Sequence, residues 1–222
     1  VSIDYRSIQL ALKEAASKGV PVVAIGQSGD TPNRLPELQD GQLAQLIAGL
    51  DPSIEFRDID NNKQKGVPGD DTKPADYAKY FSENSFNEDL VIIKSCYPNN
   101  AIKSDRGLSD LKVAYQAIAK TFQKNSKGTL LIMTTPPLRP FRTKPAEAQR
   151  ARALASWLQG AKLGERISVF NFYDLLAEPE DTMHANVLKK EYRRFIPWDN
   201  HPNGKASRHI APILASVVAN HR

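Results

Sequence analysis

Three features are scarce in this 222-residue chain, and each absence excludes a class of protein or site. Cys96 is the only cysteine, so neither an intrachain disulfide nor a cysteine-rich zinc site can form. No apolar run is long enough to span a bilayer. The net charge is +5, but no stripe of lysine and arginine interleaved with aromatic residues indicates binding to nucleic acid. We interpret the densest basic run, "KKEYRR" at 189–194, as a solvated helix face.

Short apolar runs alternate with longer amphipathic ones along the chain. The apolar runs predict strands at 20–25, 53–56, 90–94, 129–135 and 167–172. The amphipathic runs predict helices at 5–19, 41–50, 75–84, 108–125, 145–160 and 205–222. This alternation predicts a three-layer α/β/α sandwich of the flavodoxin-like kind, with a central parallel sheet of about five strands. No internal repeat or low-complexity linker divides the chain, so we expect residues 1–222 to form a single domain.

In a parallel sheet of this kind, the ligand site lies beyond the carboxyl ends of the strands. Four segments follow the predicted strands at that edge: "GQSGD" (26–30), "NNKQKGVPGDDT" (61–72), "SCYPNN" (95–100) and "PPLRPF" (136–141). A late segment, "PWDNHPNG" (197–204), joins them if the chain returns to the same edge.

Two of these segments contain residues suited to acyl transfer, which needs a nucleophile, a base, a group that orients the base and donors for the oxyanion. Ser28 lies just beyond a strand and between glycines, although a serine in this setting is more often a turn residue. His201 lies in a polar loop with Asp199 two residues before it, and the alternative is a solvated surface histidine. The other histidines, at 184, 209 and 221, are interpreted as helix-face or terminal residues.

Three segments resemble sequence blocks of the SGNH (GDSL-type) hydrolase superfamily. "AIGQS" resembles the first block, a strand that ends in Gly-Asp-Ser, with Gln27 where aspartate is usual. "GVPGDDT" resembles the second block, whose second glycine, here Gly69, donates its backbone N–H to the oxyanion. "DNHPNG" resembles the last block, with its aspartate, its histidine and the Pro-Asn that follows. The resemblance extends from about residue 21 to the final helix.

Two departures from the family pattern concern the site itself. The family places its aspartate three residues before the histidine, where this chain has Trp198, so either Asp199 or a backbone carbonyl orients His201. The third block, usually Gly-X-Asn-Asp, is replaced by "KSCYPNN", so the oxyanion asparagine is Asn99, Asn100 or absent. The segment "IKSCYPN" is similar to the Lys-X-Cys-Tyr type segment that follows this strand in a divergent bacterial branch of the same superfamily.

The resemblance implies a serine esterase that hydrolyses a short-chain acyl ester, such as an O-acetyl group on a carbohydrate. Ser28 would be the nucleophile, His201 the base and Asp199 the orienting acid. The N–H groups of Ser28 and Gly69, with Asn99, would bind the oxyanion. The alternative is a non-catalytic SGNH-like domain that binds a glycan or a partner protein.

The resemblance implies neither a metal nor an organic cofactor, and the expected partner is a small-molecule or glycan ester. It favours an exported protein, periplasmic or secreted, although no signal sequence is visible in the chain. The acidic residues Asp60, Asp70 and Asp71 lack a cation-binding loop pattern. Cys96 is interpreted as a small packing residue, with a thiol nucleophile as the alternative.

Overall fold

A computed structural model describes residues 22–25, 57–58, 73–86, 90–95, 97–196 and 199–219. Its strands are β1 (Val22–Ile25), β2 (Arg57–Asp58), β3 (Leu90–Lys94), β4 (Thr129–Met133) and β5 (Ile167–Phe170). They pair in parallel in the order β2-β1-β3-β4-β5, and β3, β4 and β5 are described together with the helices that connect them. The prediction of an α/β fold with a parallel sheet and helices is therefore confirmed.

Between β2 and β5 the described helices alternate with the strands, and two more helices follow β5. They are α1 (Pro74–Glu83), α2 (Asp105–Asn125), α3 (Pro145–Gly160), α4 (Phe172–Leu176) and α5 (Gly204–Ala219). Short 3-10 helices cover Tyr97–Asn100, Pro140–Arg142 and Lys190–Tyr192. None of these described helices combines the length and the apolar character that crossing a membrane requires. The helices predicted at 5–19 and 41–50 and the strand predicted at 53–56 lie outside the described residues.

Side-chain caps determine where two of the helices begin. The Ser104 hydroxyl accepts the N–H of Gly107 at 3.1 Å, and α2 therefore begins at Asp105 rather than at the predicted residue 108. At the start of α3, the Glu147 carboxylate accepts the N–H of Lys144 at 3.2 Å. This helix has the bounds that the sequence predicts.

Two strands are shorter than predicted, each for a local reason. The strand predicted at 167–172 ends at Phe170, because the Asn171 side chain accepts the N–H of Asp174 at 3.2 Å and begins a helix that the sequence analysis missed. The strand predicted at 129–135 ends at Met133, shortly before two prolines that have no N–H to donate to a neighbouring strand.

The core lies between the sheet and the helices α1, α2 and α3. Alternate residues of β3 and β4 contribute to it, and the helices add large side chains; its members include Val91, Ile93, Leu130, Ile132, Phe81, Ile118, Phe122 and Leu154. The intervening residues Ile92 and Leu131, which point to the opposite face of the sheet, are also almost completely buried. Both faces are therefore covered, which explains why these strands are continuously apolar.

The carboxyl ends of β3 and β4 lie at one edge of the sheet, here called the carboxyl edge. The amide of Asn100, which follows β3, donates to the carbonyl oxygens of Thr135 and Pro136 at 2.7 and 2.8 Å. The N–H of Arg139, which follows β4, donates to the side-chain oxygen of Asn200 at 3.2 Å. Hydrogen bonds therefore join the described residues of three segments, 95–100, 136–141 and 197–204, at the carboxyl edge.

Candidate active site

A hydrogen-bonded pair of Asp199 and His201 lies at the carboxyl edge. The ring atom Nδ1 of His201 is 2.6 Å from Oδ1 of Asp199, and the backbone N–H of His201 donates to the same oxygen at 2.9 Å. The second contact forms a turn closed by the aspartate side chain, which brings the ring of the residue two positions later towards the carboxylate. A spacing of two residues is therefore sufficient for the contact, although the family places its aspartate one residue earlier.

The surroundings of Asp199 favour its ionised form. Burial alone would raise the pKa of this carboxyl, but the hydrogen bonds from the N–H and the ring of His201 and the charges of His201 and Arg194 hold it below its usual range. Since an ionised carboxylate can only accept hydrogen bonds, the proton of the Asp199–His201 contact belongs to Nδ1. In the neutral ring, Nε2 then carries a free lone pair.

The Nε2 atom of His201 is buried, and no described group forms a hydrogen bond with it. The ring itself packs edge-on against Tyr97, with centroids 5.0 Å apart and planes at 90°. The imidazole is thus held by the carboxylate on one side and by an aromatic contact, while its basic nitrogen remains available. An arrangement of this kind can accept a proton from a hydroxyl group.

Arg194 completes the environment of the aspartate. Its guanidinium lies 3.2 Å from Oδ2 of Asp199, opposite the oxygen that contacts the histidine, and it also donates to the carbonyl of Pro202 at 3.2 Å. The interpretation of residues 189–194 as a solvated helix face is therefore wrong. Only Lys190–Tyr192 form a helical turn, and Arg193 and Arg194 are half-buried because they bind loop carbonyls and a carboxylate.

The two candidate asparagines for the oxyanion differ in their surroundings. Asn100 is buried, and its amide nitrogen already donates to two carbonyl oxygens. Asn99 is half-buried on the same 3-10 helix, which also places Tyr97 against His201. The two hydrogen bonds of Asn100 use both of its amide protons, which counts against Asn100 as an oxyanion donor.

Arg139 is a residue of the site that the sequence analysis missed. It is 7% exposed, and its guanidinium donates to the backbone carbonyls of Ile196 at 2.5 Å, Asp199 at 3.0 Å and Arg194 at 3.3 Å. The only sequence signal was its place in "PPLRPF", a segment predicted at the carboxyl edge. Its partners are backbone atoms more than 50 residues away, which no side-chain motif records.

Several of the residues that the sequence analysis singles out are not among the described residues. Ser28, Gly69 and Cys96 lie outside the described residues, as do Gln27, Asp60, Asp70, Asp71, Trp198 and His221. Of the remaining histidines, His209 is exposed on α5 as expected, whereas His184 lies exposed in a turn rather than on a helix. Within the described segments, no three histidine, cysteine or acidic side chains are close enough to hold a metal ion.

Two solved structures from Bacteroides species share the fold of this chain. One is a GDSL-like lipase from Bacteroides thetaiotaomicron, with a TM-score of 0.60 and 14% sequence identity over 96% of both chains. The other, from Bacteroides fragilis, is named as an acylhydrolase and gives a TM-score of 0.50 and 14% identity over 97% of both chains. No protein-family model and no curated protein matches the sequence. At this identity, the likeness establishes the fold.

Proposed function

Since the chain has the fold of the GDSL-type, or SGNH, hydrolases, we propose that it is a serine esterase with Ser28, His201 and Asp199 as its catalytic residues. The contact between Asp199 and His201 carries this proposal. It holds the imidazole in one orientation and leaves a buried Nε2 without a hydrogen bond from any described group, as a general base for a hydroxyl requires.

The proposed nucleophile, Ser28, follows β1 by three residues. Ile25, the last residue of β1, is the register partner of Ile93 in β3, so both strands end at the carboxyl edge. Ligand sites in parallel sheets lie beyond this edge. We therefore infer that the Ser28 hydroxyl meets Nε2 of His201 there.

The proposed reaction proceeds in two steps. In the first, Oγ of Ser28 bonds to the ester carbonyl carbon while Nε2 of His201 takes the hydroxyl proton. The bond to the alcohol oxygen then breaks, and His201 returns the proton to that oxygen. In the second, a water molecule attacks the acyl-serine, again losing its proton to Nε2, and the carboxylic acid leaves as Ser28 regains a proton. Asp199 stabilises the imidazolium in both steps.

The oxyanion would be bound by the backbone N–H groups of Ser28 and Gly69 and by the side chain of Asn99. The hydrogen bonds of Asn100 support the choice of Asn99, because the amide of Asn100 is already engaged. Each such donor contributes about 3–4 kcal/mol to stabilisation of the transition state. Three donors would therefore account for a large share of the rate enhancement.

For the substrate, we propose an ester of a short acyl group, with O-acetylated carbohydrates as the class. Two exposed aromatic rings support a carbohydrate: Phe195 is fully exposed, and Phe141 is 63% exposed. Arg139 joins their segments, because its guanidinium lies 5.3 Å from the centroid of the Phe141 ring and also binds the carbonyl of Ile196, next to Phe195. Exposed aromatic rings offer flat apolar surfaces on which sugar rings can stack.

We propose that the whole chain, residues 1–222, forms one domain of the three-layer α/β/α type with about five strands. The coverage of 96% of both chains in the comparison with the GDSL-like lipase supports this extent. Limited proteolysis should then give a single resistant core, and two stable fragments would contradict the proposal.

The decisive experiment combines a fluorophosphonate probe with hydrolysis of p-nitrophenyl acetate. We expect labelling that maps to Ser28 by peptide mass spectrometry, and Ser28→Ala should lose both labelling and hydrolysis while keeping its circular dichroism spectrum. Absence of both activities in the wild-type chain would favour a non-catalytic domain that binds a glycan or a partner. Inactivation by iodoacetamide with modification at Cys96 would instead indicate a thiol nucleophile.

The substrate class is tested separately. Hydrolysis should decrease from p-nitrophenyl acetate to butyrate to octanoate, and acetate should be released from acetylated oligosaccharides. Phe195→Ala should raise the KM for the oligosaccharide and leave that for p-nitrophenyl acetate unchanged, because only the larger substrate reaches the exposed ring. A preference for octanoate would contradict the carbohydrate proposal and indicate a lipid ester.

A further inference from the structure

We propose that Arg139 is a positioning residue for the Asp199–His201 pair, a role that rests on the proposed function. Its backbone N–H and its guanidinium bind the chain on both sides of the Asp199 carboxylate: the side chain of Asn200 on one side and the carbonyl of Ile196 on the other. The carbonyl of Asp199 itself accepts a third hydrogen bond, at 3.0 Å. Arg139 thus fixes the backbone from which the carboxylate projects.

The carbonyl of Ile196 has a double role in this arrangement. It accepts a hydrogen bond from the guanidinium of Arg139 and another, at 3.2 Å, from the N–H of Asp199, so Arg139 holds the oxygen to which the backbone of Asp199 binds. Removal of the guanidinium would leave the carbonyls of Ile196, Asp199 and Arg194 without this donor. The loop would then relax, and the carboxylate would no longer face Nδ1 of His201.

The chemistry of this contact requires arginine rather than lysine. A planar guanidinium presents its donors in a fixed fork, and two of its nitrogens here reach three carbonyl oxygens. An ammonium group is a point charge that cannot span the same oxygens with one geometry. In the described part of the chain no carboxylate pairs with Arg139, so its partners are backbone dipoles and the Phe141 ring.

A matched control lies at the opposite edge of the sheet, where β4 and β5 begin, here called the amino edge. Arg166 donates to the backbone carbonyls of Ser126 at 2.8 Å, Gly128 at 2.7 Å and Gln123 at 3.0 Å. It therefore makes the same kind of contact, a guanidinium shared by three carbonyls, far from the Asp199–His201 pair. Loss of this contact should affect stability alone.

The kinetic test compares Arg139→Met, Arg139→Lys and Arg166→Met in the full chain. We expect Arg139→Met to lower kcat for p-nitrophenyl acetate by about a hundredfold with little change in KM, as displacement of a catalytic group does. Arg139→Lys should restore only a small part of this activity, and added guanidinium ion should partly rescue Arg139→Met. Arg166→Met should lower the unfolding midpoint but leave kcat unchanged. Equal kcat values in Arg139→Met and Arg166→Met would overturn the proposal.

A second measurement does not depend on catalysis. The Nδ1 proton of His201, held by the carboxylate, should give a downfield proton NMR signal that disappears in His201→Ala. This signal should be lost or shifted in Arg139→Met and Arg139→Lys and retained in Arg166→Met. If the wild-type chain hydrolyses no ester, the proposed function fails, yet the NMR comparison still decides whether Arg139 positions the pair. If Arg139→Met does not fold, Arg139→Lys decides it, and an unchanged signal there would refute the role.

Discussion

The two edges of the sheet differ in how completely their buried polar atoms are satisfied. At the amino edge, Arg166 donates to three carbonyl oxygens. The side-chain amide of Gln123 donates to the carbonyl oxygen of Leu163. At the carboxyl edge, Oγ of Ser95, Nε of Arg139 and Nε2 of His201 are buried without a hydrogen bond, and these are the only such side-chain atoms in the described segments.

This difference carries a free-energy cost. An unpaired buried polar atom destabilises a folded protein by about 1–3 kcal/mol, so native structures contain few of them. All three lie at the edge where ligands of parallel sheets bind, so this edge carries the larger cost to stability. The proposed catalytic pair, Asp199 and His201, lies at the carboxyl edge and not at the amino edge. Substitutions at the two edges should therefore separate activity from stability.

The largest effect on activity is expected for His201→Ala. Loss of the general base should lower kcat by about 10⁴-fold to 10⁶-fold, because the serine can no longer transfer its proton. The control is His209→Ala, since His209 is exposed on α5 and its ring packs against Tyr192, with centroids 6.1 Å apart. Steady-state kinetics on both variants checks this, and near-wild-type turnover in His201→Ala would reject the esterase mechanism.

Asp199→Asn should have the next largest effect. The amide cannot stabilise the imidazolium and no longer enforces the Nδ1–H tautomer, so kcat should fall by about 10⁴-fold while the protein stays folded. Asp174→Asn, at the exposed start of α4, serves as the control for the same chemical change. If Asp199→Asn retains more than a tenth of the wild-type kcat, His201 acts as the base without the Asp199 carboxylate.

A smaller, separable effect is expected for the two asparagines of the 3-10 helix at the carboxyl edge. Asn99→Ala should lower kcat by about a hundredfold through loss of an oxyanion donor, with little change in stability. Asn100→Ala should lower the free energy of unfolding by about 1–3 kcal/mol, because the carbonyls of Thr135 and Pro136 lose their donor. Kinetics and urea denaturation on both variants distinguish these roles, and a wild-type kcat in Asn99→Ala removes it from the oxyanion site.

The carboxyl edge should also respond to acid. Because the pKa of Asp199 is lower in the folded than in the unfolded state, the unfolded chain binds the proton more readily. The stabilisation by Asp199 is therefore present above about pH 4 and is lost as pH falls through the lower folded-state value. Urea denaturation should show a gap between wild type and Asp199→Asn that is widest near neutral pH and narrows in acid. A gap that stays constant with pH would contradict this linkage.

The smallest effect on activity is expected at the amino edge, for Gly164→Ala. Gly164 has a φ of +145°, and an added Cβ would collide with the side-chain amide of Gln123. The strain should lower the free energy of unfolding by about 1–3 kcal/mol and leave kcat unchanged. Thermal denaturation tests the loss of stability, and steady-state kinetics tests whether kcat is unchanged. A fall in kcat would show that the two edges are coupled.

The parts of the fold that local sequence determines are the parts that it predicts well. The helix over residues 145–160 and the strand over 90–94 have the predicted bounds, because hydrophobic periodicity and a first-turn proline act within a few residues. Residues 189–194 were wrongly predicted as a helix face. Their arginines bind a carboxylate and carbonyls of other segments, and tertiary contacts of this kind leave no periodic pattern.

The same distinction holds for the candidate site. The sequence places the segments containing Asn99 and Arg139 at one edge, because the edge at which parallel strands end follows from topology, and it adds the segment containing His201 on the condition that the chain returns there. It predicts neither the role of Arg139, whose partners are backbone atoms, nor the hydrogen bonds that engage the amide of Asn100. Motifs record residue types, whereas these features depend on distances.

The turn that joins Asp199 to His201 has a consequence for the evolution of such sites. Because Oδ1 of Asp199 accepts both the backbone N–H and the ring N–H of a residue two positions later, the contact forms at a spacing one residue shorter than that of the SGNH pattern. A deletion beside a catalytic aspartate need not abolish catalysis if the remaining carboxylate can close this turn. An alignment that requires a spacing of three residues would set Trp198, and not Asp199, against the aspartate of the SGNH pattern. Searches for distant relatives should therefore allow both spacings.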